Sequence, residues 1–229
     1  MQDQVAGAAA AGRVALVAGA TGLVGQAALA ALLTDKRYRA VHSLGRQPVA
    51  VHHPKLVSHV VDFNHLTSIP GLDHVDDVLI ALGTTIKAAG SQQAFKAIDF
   101  EAILAVAVIS KRLGATKLGV VSAMGADAAS RIFYNRVKGE MEEALGQLGY
   151  SALIIARPSL LTGDRGALAQ AARPAEKWGI LAMRLFKPLI PINYQAIGAD
   201  KVARALVRVV QDQPHGTRVL LSGEMQAFD

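Results

Sequence analysis

A tyrosine and a lysine stand four residues apart in the segment FYNRVKGEME, Phe133 to Glu142. In a helix that spacing is about one turn, so the Tyr134 phenol and the Lys138 ammonium project from the same face. A phenol titrates near pKa 10, too high for a base at neutral pH, and a neighbouring cation favours its phenolate. The pair therefore has the residue types for proton transfer to or from a substrate oxygen. Spacing alone does not separate that use from an idle helix surface.

A second segment with chemistry in it is VALVAGATGLVGQ, where a run of strand-type residues leads into Gly19, Gly22 and Gly25. The three glycines have separate uses: a sharp turn, close approach of backbone N–H groups to a pyrophosphate, and tight packing of helix on strand. The start of the helix adds the positive end of its dipole. The spacing G-x-x-G-x-x-G is one residue longer at the front than the usual dinucleotide fingerprint, and its place between strand and helix reads as a nucleotide site. Its candidate contacts are Gly19, Thr21, Gly22, Leu23, Val24 and Gly25. At the end of the second strand the chain reads SLGRQP, with no acid between Ser43 and Pro48 to accept a ribose 2′-hydroxyl. Arg46 offers a fork of donors for a 2′-phosphate instead, which favours NADP over NAD, with a solvated surface arginine as the alternative.

The elements that must position these groups follow from the hydrophobic pattern. Strands are expected over Arg13–Ala18, Ala40–Gly45, Leu56–Val61, Asp77–Leu82, Leu118–Ala123, Ser151–Ala156 and Arg218–Gly223, with helical patterns between most of them. Such alternation predicts βαβ crossovers and an α/β fold: a doubly wound, mostly parallel sheet of the Rossmann type with helices on both faces. One helix is expected over Gly22–Leu33. Another follows Ser130 as N-cap, with Phe133, Val137, Met141, Leu145 and Leu148 as its core stripe. Function then belongs at the carboxyl ends of the strands. Residues 1–12 read as a loose tail and 13–229 as one domain, with a substrate-side helical insertion at about 164–192 around Trp178 and three prolines.

At this point the chain resembles the atypical and extended short-chain dehydrogenase/reductases, the group of NAD-dependent epimerase/dehydratase-like proteins, and within them the Tat-interacting-protein-like branch. The resemblance spans nearly the whole chain beyond the tail. It rests on GATGLVG, VVDF at Val60 to Phe63, ALGTT at Ala81 to Thr85, VSAMGAD at Val121 to Asp127, YNRVK at Tyr134 to Lys138 and RPSLLTG at Arg157 to Gly163, in that order. It implies that Asp62 and Phe63 border the adenine and that Leu82, Gly83 and Thr84 line the adenosine side of the cleft. By the same match Pro158 and Ser159 approach the nicotinamide, and Ser122, Tyr134 and Lys138 form the catalytic set. Two departures stand out. Asp99 occupies the place where extended members usually carry an asparagine, and about seventy residues follow Arg157, fewer than a sugar-nucleotide enzyme uses for its substrate domain.

Composition narrows the remaining classes. The chain is 52% hydrophobic and 18% charged, which suits strands covered on both faces. With no cysteine there is neither a disulfide framework nor a thiolate metal site. His52, His53, His59 and His65 lack metal-ligand spacing, so no metal is expected. The formal charge of +6 is spread thinly with sparse aromatics, so nucleic acid is not an expected partner. The longest apolar run, Ala102 to Ile109, is too short for a membrane span, and no charged n-region opens the chain. A cytoplasmic protein is the expectation. The segment from Trp178 to Ile192 reads as a pocket wall or core, with a membrane-surface helix or dimer contact as alternatives. Together these readings predict an NADP-dependent oxidoreductase acting on a small carbonyl or alcohol. The alternative is an NADP(H)-binding redox sensor that acts through a regulatory protein partner, and a homodimer is compatible with either.

Overall fold

The computed structural model describes residues 12–162 and 191–228. Its first strand, β1 at Arg13–Ala18, is buried on both faces because no polar side chain interrupts it after Arg13. Val14, Leu16 and Ala18 join one hydrophobic layer, while Ala15 and Val17 join the other. Helix α1 at Leu23–Thr34 follows, then β2 at Tyr38–Gly45, β3 at Leu56–Val60 and β4 at Asp77–Ile80. Two short helices, α2 at Ile86–Ala89 and α3 at Gln92–Lys96, lead through a π-helical turn at Ala97–Ala102 into α4 at Ile103–Arg112. The chain continues with β5 at Lys117–Val121, α5 at Phe133–Gly146, β6 at Ala152–Arg157 and β7 at Leu161–Thr162. Beyond residue 190 come β8 at Ile197–Gly198, α6 at Ala199–Asp212, β9 at Gly216–Leu221 and α7 at Ser222–Met225.

Seven strands form one sheet in the order β3-β2-β1-β4-β5-β6-β9, with every neighbouring pair parallel. Helices α1 and α6 cover one face through Val24, Ala28, Leu32, Val202, Leu206 and Val210. Helices α4 and α5 cover the other through Ile103, Val106, Met141 and Leu145. This is the expected doubly wound α/β domain, and it buries apolar strands between two helical layers as such sheets require. The order reverses at β1 and β4, so the loops after these two strands flank the crevice where such folds bind ligands. At the opposite end, Asp77 accepts from Arg13 at 2.7 and 2.6 Å and from the Tyr38 hydroxyl at 2.7 Å. Burial and the Asp77 charge push the Tyr38 phenol well above its usual range.

The expected strands are present, with shifted ends. β2 starts two residues earlier than expected, at Tyr38, which is fully buried in the core. β4 stops at Ile80, although the Ala81 N–H still donates to the Ala18 carbonyl at 2.8 Å. Ser130 is not the N-cap of α5. The helix starts at Phe133 after Ile132, and the Ser130 hydroxyl accepts the Ile132 N–H at 3.2 Å outside the helix. Apart from Gly12, the expected tail lies outside the described residues. So does the expected insertion apart from Pro191 and Ile192, which open a 3-10 turn at Ile192–Tyr194.

Candidate active site

The turn after β1 is tight for a physical reason visible at each glycine. Gly19 takes a φ of +86°, and a Cβ there would come within 2.6 Å of the Ala81 carbonyl oxygen in the loop after β4. At Gly25 a Cβ would lie 2.0 Å from the Gly19 carbonyl oxygen, so α1 packs directly on its own turn. Gly22 is different. It is the N-cap of α1, and a Cβ would meet nothing closer than 3.5 Å. No side chain caps α1 and no acid sits in its first turn, which leaves its leading N–H groups facing the crevice. Beside this turn, Thr21, Arg46 and Gln47 line a polar hollow of about 400 Å³. Turn, helix start and hollow form a cradle that fits a dinucleotide phosphate.

Further along the sheet edge, Asp62 caps a 3-10 turn at Phe63–His65 by accepting from the Asn64 N–H at 3.0 Å and contacting His65 Nδ1 at 2.8 Å. The His65 contact and the Asn64 bond hold its carboxyl below the usual range. Phe63 lines a second hollow of about 420 Å³ with Asn64, Leu66, Thr67, Glu101 and Ala105. The loop Leu82, Gly83 and Thr84 leaves β4 at the crevice, where the Thr84 N–H donates to Asp99 Oδ2 at 2.9 Å.

Tyr134 and Lys138 share one face of α5, as their spacing requires. The Lys138 ammonium does not stand alone beside the phenol. It pairs with Asp99 Oδ1 at 2.7 Å, with side chains only 4% and 1% exposed. Asp99 reaches this position from the π-helical turn, whose extra residue rotates the chain between α3 and α4. One carboxylate thus ties the crevice loop after β4 to the lysine of α5. Tyr134 packs against Phe95, ring centroids 5.3 Å apart. Burial first, and the Asp99 charge second, push its phenol up to about 12. The expected lowering by Lys138 is therefore absent: the partner carboxylate offsets the cation.

Ser122 takes a different place from the one expected. It extends β5 on the α5 side, and its buried hydroxyl donates to Glu142, which also accepts from Arg157 Nε at 3.0 Å. Glu142 lies two turns beyond Tyr134, about 12 Å along the helix axis. Burial and pairing make Ser122, Glu142 and Arg157 a brace between β5, α5 and β6. Pro158 accepts from the Met124 N–H at 3.0 Å, and the Ser159 hydroxyl is taken up by the Gln195 carbonyl and by Ser222 at 2.9 Å. Glu142 was missed by sequence reasoning, although its four-residue spacing from Lys138 continues the same stripe. The Asp99 pairing had no comparable signal. His59 stacks on His42 at 5.1 Å, with Nδ1 of His42 2.8 Å from Nε2 of His59. Among the described residues no cluster of three metal-binding side chains forms, and no helix is long and apolar enough to cross a membrane.

Fold and site are those of a doubly wound α/β domain with a glycine turn at its crevice. No model of a known protein family matches the chain. Protein FMP52-1, mitochondrial, of Scheffersomyces stipitis is 33% identical over 203 residues, spanning 86% of this chain and 88% of that protein. Protein HTATIP2 of Rattus norvegicus is 31% identical over 215 residues, 91% of this chain and 85% of that one. The solved structure of a short chain dehydrogenase family protein from Francisella tularensis has a TM-score of 0.65 at 15% identity, covering 94% of this chain and all of that one. The chain belongs to the family that holds Protein HTATIP2 and the fungal FMP52 proteins. The fold is one on which other solved enzymes hold NAD+. The fungal relatives are named as mitochondrial proteins, which overturns the expectation of a cytoplasmic chain.

Proposed function

We propose that the chain is an NADP-dependent oxidoreductase that interconverts a small carbonyl compound and its alcohol. The observation that carries this reading is the buried chain of contacts from the crevice loop at Thr84, through Asp99, to Lys138 on the helix that presents Tyr134. It joins the cofactor side of the crevice to a proton-transfer residue. When bound, the reduced dinucleotide supplies a hydride to the carbonyl carbon and is itself oxidised by two electrons. The uncapped start of α1 holds the pyrophosphate, and Arg46, exposed beside Thr21 and Gln47, binds the 2′-phosphate. Tyr134 donates its hydroxyl proton to the carbonyl oxygen as negative charge develops there. Lys138, fixed by Asp99, orients that end of α5. Ser122, expected to hold the carbonyl oxygen, donates to Glu142 in the structure.

A second reading, an NADP(H)-binding sensor without turnover, is favoured by one feature: the catalytic-type lysine is neutralised by Asp99. A screen of aldehydes and ketones with NADPH consumption as readout separates the two. Turnover of any carbonyl substrate, lost in Tyr134→Phe, supports the oxidoreductase. Tight NADPH binding with silence across the whole screen supports the sensor.

A further inference from the structure

We infer that Asp99 is a positioning residue that engages Lys138 in a buried ion pair, so that Lys138 does not act on Tyr134 as a lone cation and the phenol stays protonated. The inference deepens the oxidoreductase reading and rests on it for the use of Tyr134 as a proton donor. The ion pair itself stands on geometry.

A lone ammonium one helical turn from a phenol favours the phenolate. Here the ammonium is 2.7 Å from a carboxylate that is itself 1% exposed, so the pair presents little net charge to Tyr134. Asp99 is held in that place from two sides. The π-helical turn aims it inward, and the Thr84 N–H fixes its second oxygen at 2.9 Å. Phe95 shields the phenol from water on another side.

The other charged groups on the elements around α5 have partners elsewhere. Lys96 of α3 and Arg136 of α5 both turn to Glu140, each at 3.9 Å. Arg157 of β6 is taken by Glu142, and Lys111 of α4 donates to the Gly149 carbonyl at 2.6 Å. Asp127, in the loop before α5, accepts from the Ala129 N–H at 2.9 Å, while Glu101 lines the hollow beside Phe63. Asp99 is thus the acid that bears on the phenol, and it works in the same direction as burial.

Reduction starts from the protonated phenol: the proton leaves Tyr134 Oη for the carbonyl oxygen, and the phenolate regains one from water. Burial and the Asp99 charge push the ionisation of that phenol up to about 12, so the donor form is the resting form at neutral pH. The ratio of the two directions stays fixed by the overall equilibrium; what Asp99 moves is the pH at which the phenol ionises.

The test follows the Tyr134 ring directly. Protein labelled with 13C at tyrosine Cζ is titrated by NMR without dinucleotide, and Tyr134→Phe assigns the signal. Wild type is expected to show no half-ionisation of Tyr134 up to about pH 11. In Asp99→Asn, which frees the cation, the midpoint is expected to fall by at least about one unit, or tenfold more phenolate at a given pH. A wild-type midpoint at or below the ordinary value of about 10 overturns the inference, and so does an unmoved midpoint in a folded Asp99→Asn variant. A purely structural Asp99 would lower stability and leave the midpoint alone. If Asp99→Asn does not fold, the wild-type titration decides. Failure to bind NADPH would remove the oxidoreductase reading without changing this titration.

Discussion

At the scale of single residues, Tyr134→Phe removes one oxygen from a ring that keeps its packing on Phe95. Dinucleotide affinity is expected to remain and turnover to fall by about 10² to 10⁴, the usual worth of a positioned proton donor. Steady-state kinetics beside a binding titration check both halves, and an active Phe variant would remove Tyr134 from the mechanism. The Tyr134 and Lys138 spacing was legible in the sequence because one helical turn is a local property. The partners of these residues were not. Ser122 sits in the motif where a catalytic serine was expected, yet which carboxylate a hydroxyl meets depends on how α5 is rotated against β5. Asp99 likewise stood out as a departure in sequence, while its bond to Lys138 spans thirty-nine positions of chain folded by the π-helical turn.

At the scale of elements, the glycines separate into binding and packing roles that substitution can tell apart. Gly22→Ala leaves the fold intact, because a methyl there meets nothing closer than 3.5 Å, but it covers the N–H groups at the start of α1. It is expected to weaken dinucleotide binding with little change in urea midpoint. Gly139→Ala is the converse. A Cβ there would lie 2.1 Å from the Ala128 nitrogen, so the loop after β5 must move off α5. Overpacking of this kind costs about 1 to 3 kcal/mol, with the urea midpoint falling to match, and an unchanged midpoint would contradict the packing described. The glycine turn after β1 was legible because strand, glycines and helix are contiguous. Gly139 was not singled out, since nothing local marks a helix glycine as the crossing point of a distant loop. Strand order was legible only as a class: alternation gives βαβ units, and which strand lies beside β1 is set by crossovers.

For the whole molecule, the histidine pair at the β2 and β3 edge predicts how stability changes with pH. Burial, the neighbouring His59 and then Arg39 push His42 down to about 4, and burial lowers His59 as well. The unfolded chain binds protons at these rings near pH 6.5 while the folded chain does not. Their contribution is therefore fully present above about pH 6.5 and is lost as pH falls toward the folded value near 4. Urea unfolding between these limits is expected to lose on the order of 2 to 3 kcal/mol, and His42→Val should flatten the slope. A wild-type slope that survives the substitution would assign the effect to other groups. The central claim also concerns the molecule as a whole, that its crevice holds NADP, and paired fluorescence titrations with NADPH and NADH on wild type and Arg46→Ala test it most directly. Tight NADPH binding is expected, weakening about 10-fold to 100-fold in the variant toward the NADH value, as for a lost charge-assisted contact. Equal affinities unaffected by Arg46→Ala would contradict the 2′-phosphate assignment, and no binding of either dinucleotide would contradict the proposed function itself.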